Sequence, residues 1–288
     1  MRIGTRGSAL ALAQAGWVAG RLGPNSELVP ITTSGDRAVG VGDKSRWVTE
    51  LEVALLEGRI DIAVHSAKDV PTALAEGLEL VAISPRADPR DALCGAGGLA
   101  ELTPGARIGT SSLRRAAQLR ALRPDLEVAE LRGNVDTRLR KLAAGEADAI
   151  VLAAAGLVRL GRQAEIGATL EELVPAGGQG ALAIEAVAGF EASVLAEVHD
   201  AAAAACVHAE RDLVGRLGAS CHTPVGAHAR AAGEELELRG WVGLPDGSTW
   251  IEDALCGPAA RVGALVAERL LAVGAAELLQ RAEQGGAP

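Results

Sequence analysis

Leu56-Glu57-Gly58-Arg59-Ile60-Asp61-Ile62-Ala63-Val64 returns, altered in most letters but not in plan, as Ala143-Ala144-Gly145-Glu146-Ala147-Asp148-Ala149-Ile150-Val151. In both stretches a helical pattern stops at a glycine, and an aspartate then introduces a short apolar run. The run is continuously hydrophobic instead of alternating, which is the pattern of a parallel strand buried on both faces.

Working outward, the start of each copy also matches. Arg2-Ile3-Gly4-Thr5 recurs as Arg107-Ile108-Gly109-Thr110, followed each time by serine and an Ala/Leu-rich helical pattern containing Gln14 or Gln118. Between these landmarks, Glu27-Leu28-Val29-Pro30-Ile31-Thr32 leads into Thr33-Ser34-Gly35-Asp36, and Glu127-Val128-Ala129-Glu130-Leu131 leads into Arg132-Gly133-Asn134. Each copy therefore reads strand, helix, strand, helix, strand, predicting two similar open α/β domains facing a shared cleft. Gly177-Gly178-Gln179-Gly180 is a flexible junction, and the strand-like Ala181-Leu182-Ala183-Ile184-Glu185 after it can return the chain to the first domain. Beyond about residue 200 come a helix (201–217), a loop (218–224), alternating strands around Pro245-Asp246-Gly247 and a closing helix over 259–282, a small α+β domain. The expected division is 1–86 with 177–199, then 87–176, then 200–288.

Composition narrows the function. The chain has 288 residues, 49% hydrophobic, with net charge −9, so it can bury large cores but lacks the basic surface that bulk nucleic-acid binding needs. It has no Tyr and one Phe, so an aromatic platform for stacking bases is not expected. The segment Met1 to Arg6 lacks a secretory pattern and no apolar run approaches the roughly eighteen residues of a membrane span, so no membrane partner and a cytoplasmic location are expected. Cys94, Cys206, Cys221 and Cys256 lie far apart without a C-x-x-C pair, which disfavours both a disulfide framework and a thiolate metal site. His199, His208 and His222 match no ligand spacing, and no metal is expected.

In open α/β sheets ligands collect beyond the carboxyl ends of the strands. There, Gly109-Thr110-Ser111-Ser112-Leu113-Arg114-Arg115 opens a helix with hydroxyl caps, backbone N–H groups and two cations, an anion site by construction. Arg132 and Arg138 follow the next strand, and Arg6 and Ser8 hold the matching turn of the first copy; the planar guanidinium fork suits carboxylates. Asp61 to Pro71 places Ser66, Lys68 and Asp69 just past a buried strand, where a carboxylate can stabilise a cation and move protons. Cys221, in Leu217-Gly218-Ala219-Ser220-Cys221-His222-Thr223-Pro224, is a loop thiol beside an imidazole and can serve as a nucleophile. Each feature alone has a plainer reading: helix capping with a solvated basic face, a turn aspartate before Val-Pro, and a cysteine buried as a small hydrophobe. That last reading is the one expected for Cys94, Cys206 and Cys256.

Together these segments resemble the hydroxymethylbilane synthase (porphobilinogen deaminase) family across nearly the whole chain. The likeness also rests on Thr5 to Ala11, Asp88-Pro89-Arg90-Asp91-Ala92, Thr137-Arg138-Leu139 and Ala155-Gly156-Leu157-Val158-Arg159-Leu160-Gly161. It implies two periplasmic-binding-protein-like (type II) domains and a third that carries the cofactor. It further implies a dipyrromethane primer covalently bound to Cys221 through a thioether. Four porphobilinogens are then added head to tail with loss of ammonia, and water releases hydroxymethylbilane to the next pathway enzyme. Asp69 would assist departure of ammonia, stabilise the azafulvenium-type cation and help remove the proton after each attack. The acetate and propionate groups would be bound by Arg6, Arg114, Arg115, Arg132, Arg138 and Arg159, assisted by Ser8, Asp36, Ser66, Lys68, Thr110, Ser111, Ser112, Gly133 and Gln179. A lid would include Lys44 and Trp47, and the family implies a monomer. The chain departs from the family's lid pattern at Ser45, Arg46 and Thr49, and from its Gly-Gly before the cofactor cysteine at Ala219 and Ser220. Two readings from other classes compete: a non-catalytic two-lobed binding protein for a small polycarboxylate anion, and the effector domain of a regulator. The Cys221 loop counts against the first, and the lack of a basic helix-turn-helix before the first strand against the second.

Overall fold

The computed structural model describes residues 1–33, 48–219 and 223–285. The first copy of the repeat forms β1 (Arg2–Arg6), α1 (Ala9–Leu22), β2 (Glu27–Ile31), α2 (Thr49–Leu56) and β3 (Ile62–Ser66), followed by β4 (Leu78–Ile83). The second lobe contains β5 (Asp91–Cys94), β6 (Arg107–Gly109), α3 (Leu113–Leu122), β7 (Glu127–Ala129), α4 (Val135–Ala143), β8 (Ala149–Ala153), α5 (Ala154–Arg159) and β9 (Ala168–Leu170). The chain then returns through β10 (Leu182–Val187).

The duplicated glycine and aspartate act identically in both lobes. Gly58 and Gly145 take the left-handed backbone (φ 65° and 76°) that lets the chain leave α2 and α4. The aspartate that follows then joins the new strand to the first one: Asp61 Oδ2 accepts from the Arg2 N–H at 2.6 Å, and Asp148 Oδ2 from the Arg107 N–H at 2.7 Å. Each aspartate returns its own N–H to the same arginine's carbonyl at 2.9 Å. In β3 and β8 four consecutive residues are buried, as the unbroken apolar runs predict.

The sheets have equivalent orders, β2-β1-β3-β10-β4 and β7-β6-β8-β5-β9. In each, three parallel strands are followed by one antiparallel strand, β10 or β5, inserted before the last. The inserted strands adjoin the two crossings between lobes, so each lobe is completed by chain that has just crossed. The crossings pair with each other: the Ala87 N–H donates to the Gly180 carbonyl at 3.2 Å, and the Ser84 N–H to Leu182 at 3.0 Å. Gly180 is required here, because at φ 94° any Cβ would lie 2.4 Å from the Ala87 carbonyl oxygen.

The remaining chain folds as α6 (Ala201–Arg216), a three-stranded sheet of β11 (Val225–Ala232), β12 (Glu235–Gly243) and β13 (Trp250–Gly257), then α7 (Ala259–Ala272) and α8 (Ala275–Gly285). Two expectations are corrected. The closing helix is two helices, broken where Gly274 adopts φ 102°. Cys256 is exposed, unlike buried Cys94 and Cys206, because it falls on the outward face of the alternating edge strand β13.

α6 fastens this domain to the crossings through one carboxylate. Glu210, fully buried, receives two hydrogen bonds from Arg86 (2.6 and 3.1 Å), one from the Gly178 N–H (2.7 Å) and one from the Ala229 N–H (2.6 Å). Removing one member of a buried ion pair strands the other's charge, at a cost of about 3–5 kcal/mol. Arg86→Met is therefore expected to lower the denaturant midpoint substantially, and a midpoint equal to that of the unaltered protein would show the pair to be dispensable.

Candidate active site

Each strand end in the cleft presents a polar turn. After β1, Ser8 caps α1, its Oγ accepting from the Ala11 N–H at 3.3 Å. After β6, Ser112 caps α3 by accepting from the Arg115 N–H at 3.4 Å, while Thr110 Oγ1 accepts from the Ser112 N–H at 3.2 Å. After β3 the chain enters a single 3-10 turn, Ala67–Asp69, whose base is tied to the return strand by the Ala67 N–H and the Ala181 carbonyl (3.0 Å). Ser66, at the end of β3, accepts from buried Gln14 at 2.8 Å.

Opposite this turn, Arg114 and Arg115 point inward and are buried against Asp91. Asp91 Oδ2 accepts from Arg114 Nη1 at 2.8 Å and Oδ1 from Arg115 Nε at 2.9 Å; Arg114 also reaches the Val174 carbonyl and Arg115 the Val151 carbonyl. Burial alone would raise the Asp91 pKa, but the two guanidinium groups overcome it and hold the carboxyl far below its usual range. Gln179 joins the lobes, donating to Asp91 at 2.8 Å and accepting from Lys68 Nζ at 3.1 Å. Burial, reinforced by Arg115, draws Lys68 from 10.5 down to about 8.

Arg138 donates to Ser111 Oγ at 2.8 Å, while its buried Nε has no hydrogen-bond partner among the described residues. Arg159 donates to the Gly180 carbonyl at 2.6 Å. Burial lowers both to about 10, so both stay charged at neutral pH, and neither forms an ion pair with a carboxylate among the described residues. Arg132 instead pairs with Glu130 at 2.6 Å near the surface. Gly133 lies at φ 128°, where a Cβ would press on Thr137 Cγ2 at 2.7 Å. Half-buried Arg6 ends β1.

Asp69 is half-buried and makes no hydrogen bond or ion pair with any described residue, yet it is close enough to Arg115 for their charges to interact. Lys68 and Arg115 thus lie close enough to Asp69 and Asp91 for their charges to interact, Arg114 pairs with Asp91, and Arg138 lies within reach of the Arg115 charge. Asp36, Lys44, Trp47 and Cys221, together with the departures Ser45, Arg46 and Ser220, lie outside the described residues. Thr49 begins α2, and Ala219 packs against the third domain's core. Among the residues that carry the site, sequence reasoning assigned no role to Asp91, Arg86 or Glu210; the only signal was a charge set at the head of, or within, an otherwise apolar pattern.

Residues 1–195 match the family model described as porphobilinogen deaminase, dipyromethane cofactor binding domain, and residues 204–272 match that of the porphobilinogen deaminase C-terminal domain. The chain belongs to the porphobilinogen deaminase family. Among its curated relatives, the porphobilinogen deaminase of Deinococcus deserti is 48% identical over 98% of both chains, and that of Deinococcus radiodurans 49% identical over 96% of this chain and 97% of its own. Likeness to solved structures is more distant. A periplasmic substrate-binding protein of an ABC transporter from Coxiella burnetii gives a TM-score of 0.42 at 14% identity, covering 71% of this chain and 94% of that one. The two-lobed fold described above stands on its own strand order.

The family's dipyrromethane carries several carboxylates, and the cleft fits it: cations are in excess, and the Arg114 and Arg138 Nε atoms are buried without hydrogen-bond partners among the described residues. Lys68 is neutralised as pH rises through about 8, and any carboxylate it binds would lose that attraction on the alkaline side. KM is expected to rise between about pH 7 and about pH 9, with that rise absent in Lys68→Gln, whose KM is already raised at neutrality. A wild-type KM that stays flat over this interval would contradict the assignment.

Proposed function

We infer that this chain is a transferase that joins four porphobilinogen molecules head to tail and releases hydroxymethylbilane. The observation that carries the reading is the juxtaposition of Asp69, a carboxylate with no ion pair among the described residues, with Arg115 and Lys68, in a chain of this family. When bound, through a thioether to Cys221, the dipyrromethane supplies the pyrrole terminus from which the product is built. Every other task falls to side chains of the protein.

Arg138, Arg159 and Lys68 bind the acetate and propionate groups, with Arg6, Arg132, Ser8, Thr110, Ser111, Ser112 and Gly133 at the cleft's strand ends. Asp36 and the lid residues Lys44 and Trp47 complete the proposed set. Arg114 and Arg115 act with their positions fixed by Asp91, and Gln179 holds Lys68 in register with them. Ser66 is braced by Gln14 beside the Asp69 turn.

Asp69 works at the reacting carbon. As the C–N bond of the protonated aminomethyl group breaks, ammonia carries off the electron pair and the remaining methylene becomes cationic; a fixed carboxylate in a partly desolvated cleft stabilises that charge. The terminal pyrrole carbon then forms the new C–C bond, and the proton it loses passes to Asp69 and on to water. After the fourth addition the methylene–pyrrole bond joining product to primer would break, a proton returning to the primer carbon, and water would add to the methylene cation so released and lose a proton, giving the hydroxymethyl group.

The proposal assigns residues 1–86 with 177–199 to the lobe of Asp69, 87–176 to the arginine-rich lobe and 200–288 to the domain of Cys221. The working unit is a monomer in the cytoplasm that passes its product to the next enzyme of tetrapyrrole synthesis. No helix among the described residues is long and apolar enough to cross a membrane.

Loss of a proton-transferring side chain costs about 10²–10⁴ in rate. Asp69→Asn is expected to lower porphobilinogen consumption by that order while retaining cofactor and fold. Near-normal kcat in the variant would remove Asp69 from the chemistry.

A further inference from the structure

Arg211, on α6 of the third domain, reaches the chain that leaves the Asp69 turn. Its Nη1 donates to the Val70 carbonyl at 3.0 Å and its Nη2 to the Pro71 and Thr72 carbonyls at 2.6 and 3.3 Å. Val70 is the residue immediately after Asp69 and terminates its 3-10 turn. Arg211 forms no ion pair with a carboxylate among the described residues; its charge is directed at three successive main-chain carbonyls. Close packing supports the contact, because a methyl group added at Gly215, one turn along α6, would lie 3.7 Å from Thr72 Cβ.

The Val70 side chain is buried in a core shared with Ala203, Ala204 and Val207 of α6, but these carbonyls accept no other hydrogen bond among the described residues. Val70-Pro71-Thr72 belongs to no strand, and Pro71 has no N–H to donate. On its cleft side the turn is tied to the return strand through Ala67 and Ala181, but nothing in that tie fixes the chain beyond Asp69. A guanidinium fork spanning successive carbonyls fixes both position and orientation, which a single hydrogen bond does not.

We propose that Arg211 is a positioning residue for the known reaction: it holds the backbone after Asp69 so that the carboxylate stays aligned with the reacting carbon through successive additions. This rests on the reading of Asp69 as the catalytic carboxylate. Displacing a reacting group by about 1 Å can cost 10²-fold in rate, so a clamp outside the substrate's reach can govern kcat without governing binding.

The experiment compares Arg211→Ala, Arg211→Lys and Asp69→Asn, with kcat expressed per molecule carrying the cofactor as counted by intact mass. For Arg211→Ala the expected result is a fall in kcat of roughly ten- to hundredfold with KM within about twofold. Arg211→Lys, which keeps the charge and a single donor nitrogen but not the planar fork, should lie between. Truncation to Ala opens the position onto a solvent-accessible cavity of about 380 Å³ lined by Thr72, Asp212, Gly215 and Arg216, so added guanidinium should restore part of the lost kcat in Arg211→Ala and none in Asp69→Asn. A purely architectural role predicts a lower melting temperature and fewer cofactor-bearing molecules, with unchanged kcat for each; that outcome overturns the proposal, as does an equal rise in KM. If Arg211→Ala fails to fold, a normal kcat in folded Arg211→Lys also overturns it, and a reduced one sustains it. Failure of the Asp69 reading is distinguishable, since it appears as an active Asp69→Asn.

Discussion

Two guanidinium groups share one buried carboxylate, and much of the cleft depends on that imbalance. Asp91 is completely enclosed and can remain charged there only because Arg114 and Arg115 face it. The pairing offsets the cost of burying the ions but leaves one positive charge over. Lys68 comes within reach through Gln179, and Arg138 adds another cation whose Nε has no hydrogen-bond partner among the described residues. An interior of this kind has a standing demand for anions. A polycarboxylate ligand meets it, and a growing chain of pyrroles meets it repeatedly.

The same geometry explains why the carboxylate of Asp69 has no ion pair among the described residues. Arg115, whose charge interacts with that of Asp69, is already oriented toward Asp91, so it supplies field without closing an ion pair over the Asp69 carboxylate. Preorganised charge that needs no rearrangement during reaction is the usual source of electrostatic catalysis. The frame around this pair is equally fixed. The two crossings are hydrogen-bonded to each other, and Glu210 ties both of them to the third domain through Arg86 and Gly178. A movement of one lobe is thereby referred to a common pivot.

Much of this was legible in the sequence, where the signal is local. Gly58 and Gly145 stop helices because the chain needs a positive φ there, and Asp61 and Asp148 announce strands because they cap the first strand of their own lobe. The return of the chain to the first sheet was also readable from an apolar run after a glycine-rich junction. The exchange of antiparallel strands was not, since pairings such as Asp91 with Leu170 or Ala183 with Ile83 join segments with no shared pattern. Arg114 and Arg115 look like a basic helix start, and nothing local reveals that both turn inward; that depends on where Asp91 arrives from another strand. Gly274 was passed over because the apolar periodicity resumes after it. Arg211 resembles any helix-surface cation until the carbonyls of another domain are placed against it.

The central claim is that this charged cleft holds a primer on Cys221 and lengthens it. The most direct measurement is the intact mass of the purified protein, with peptide mapping, before and after a brief exposure to porphobilinogen, beside Cys221→Ala. The account predicts a two-pyrrole adduct on the Cys221 peptide, further increments of one pyrrole after exposure, and neither in the variant. A folded protein that consumes porphobilinogen with Cys221 unmodified, or an adduct that survives Cys221→Ala, would contradict it.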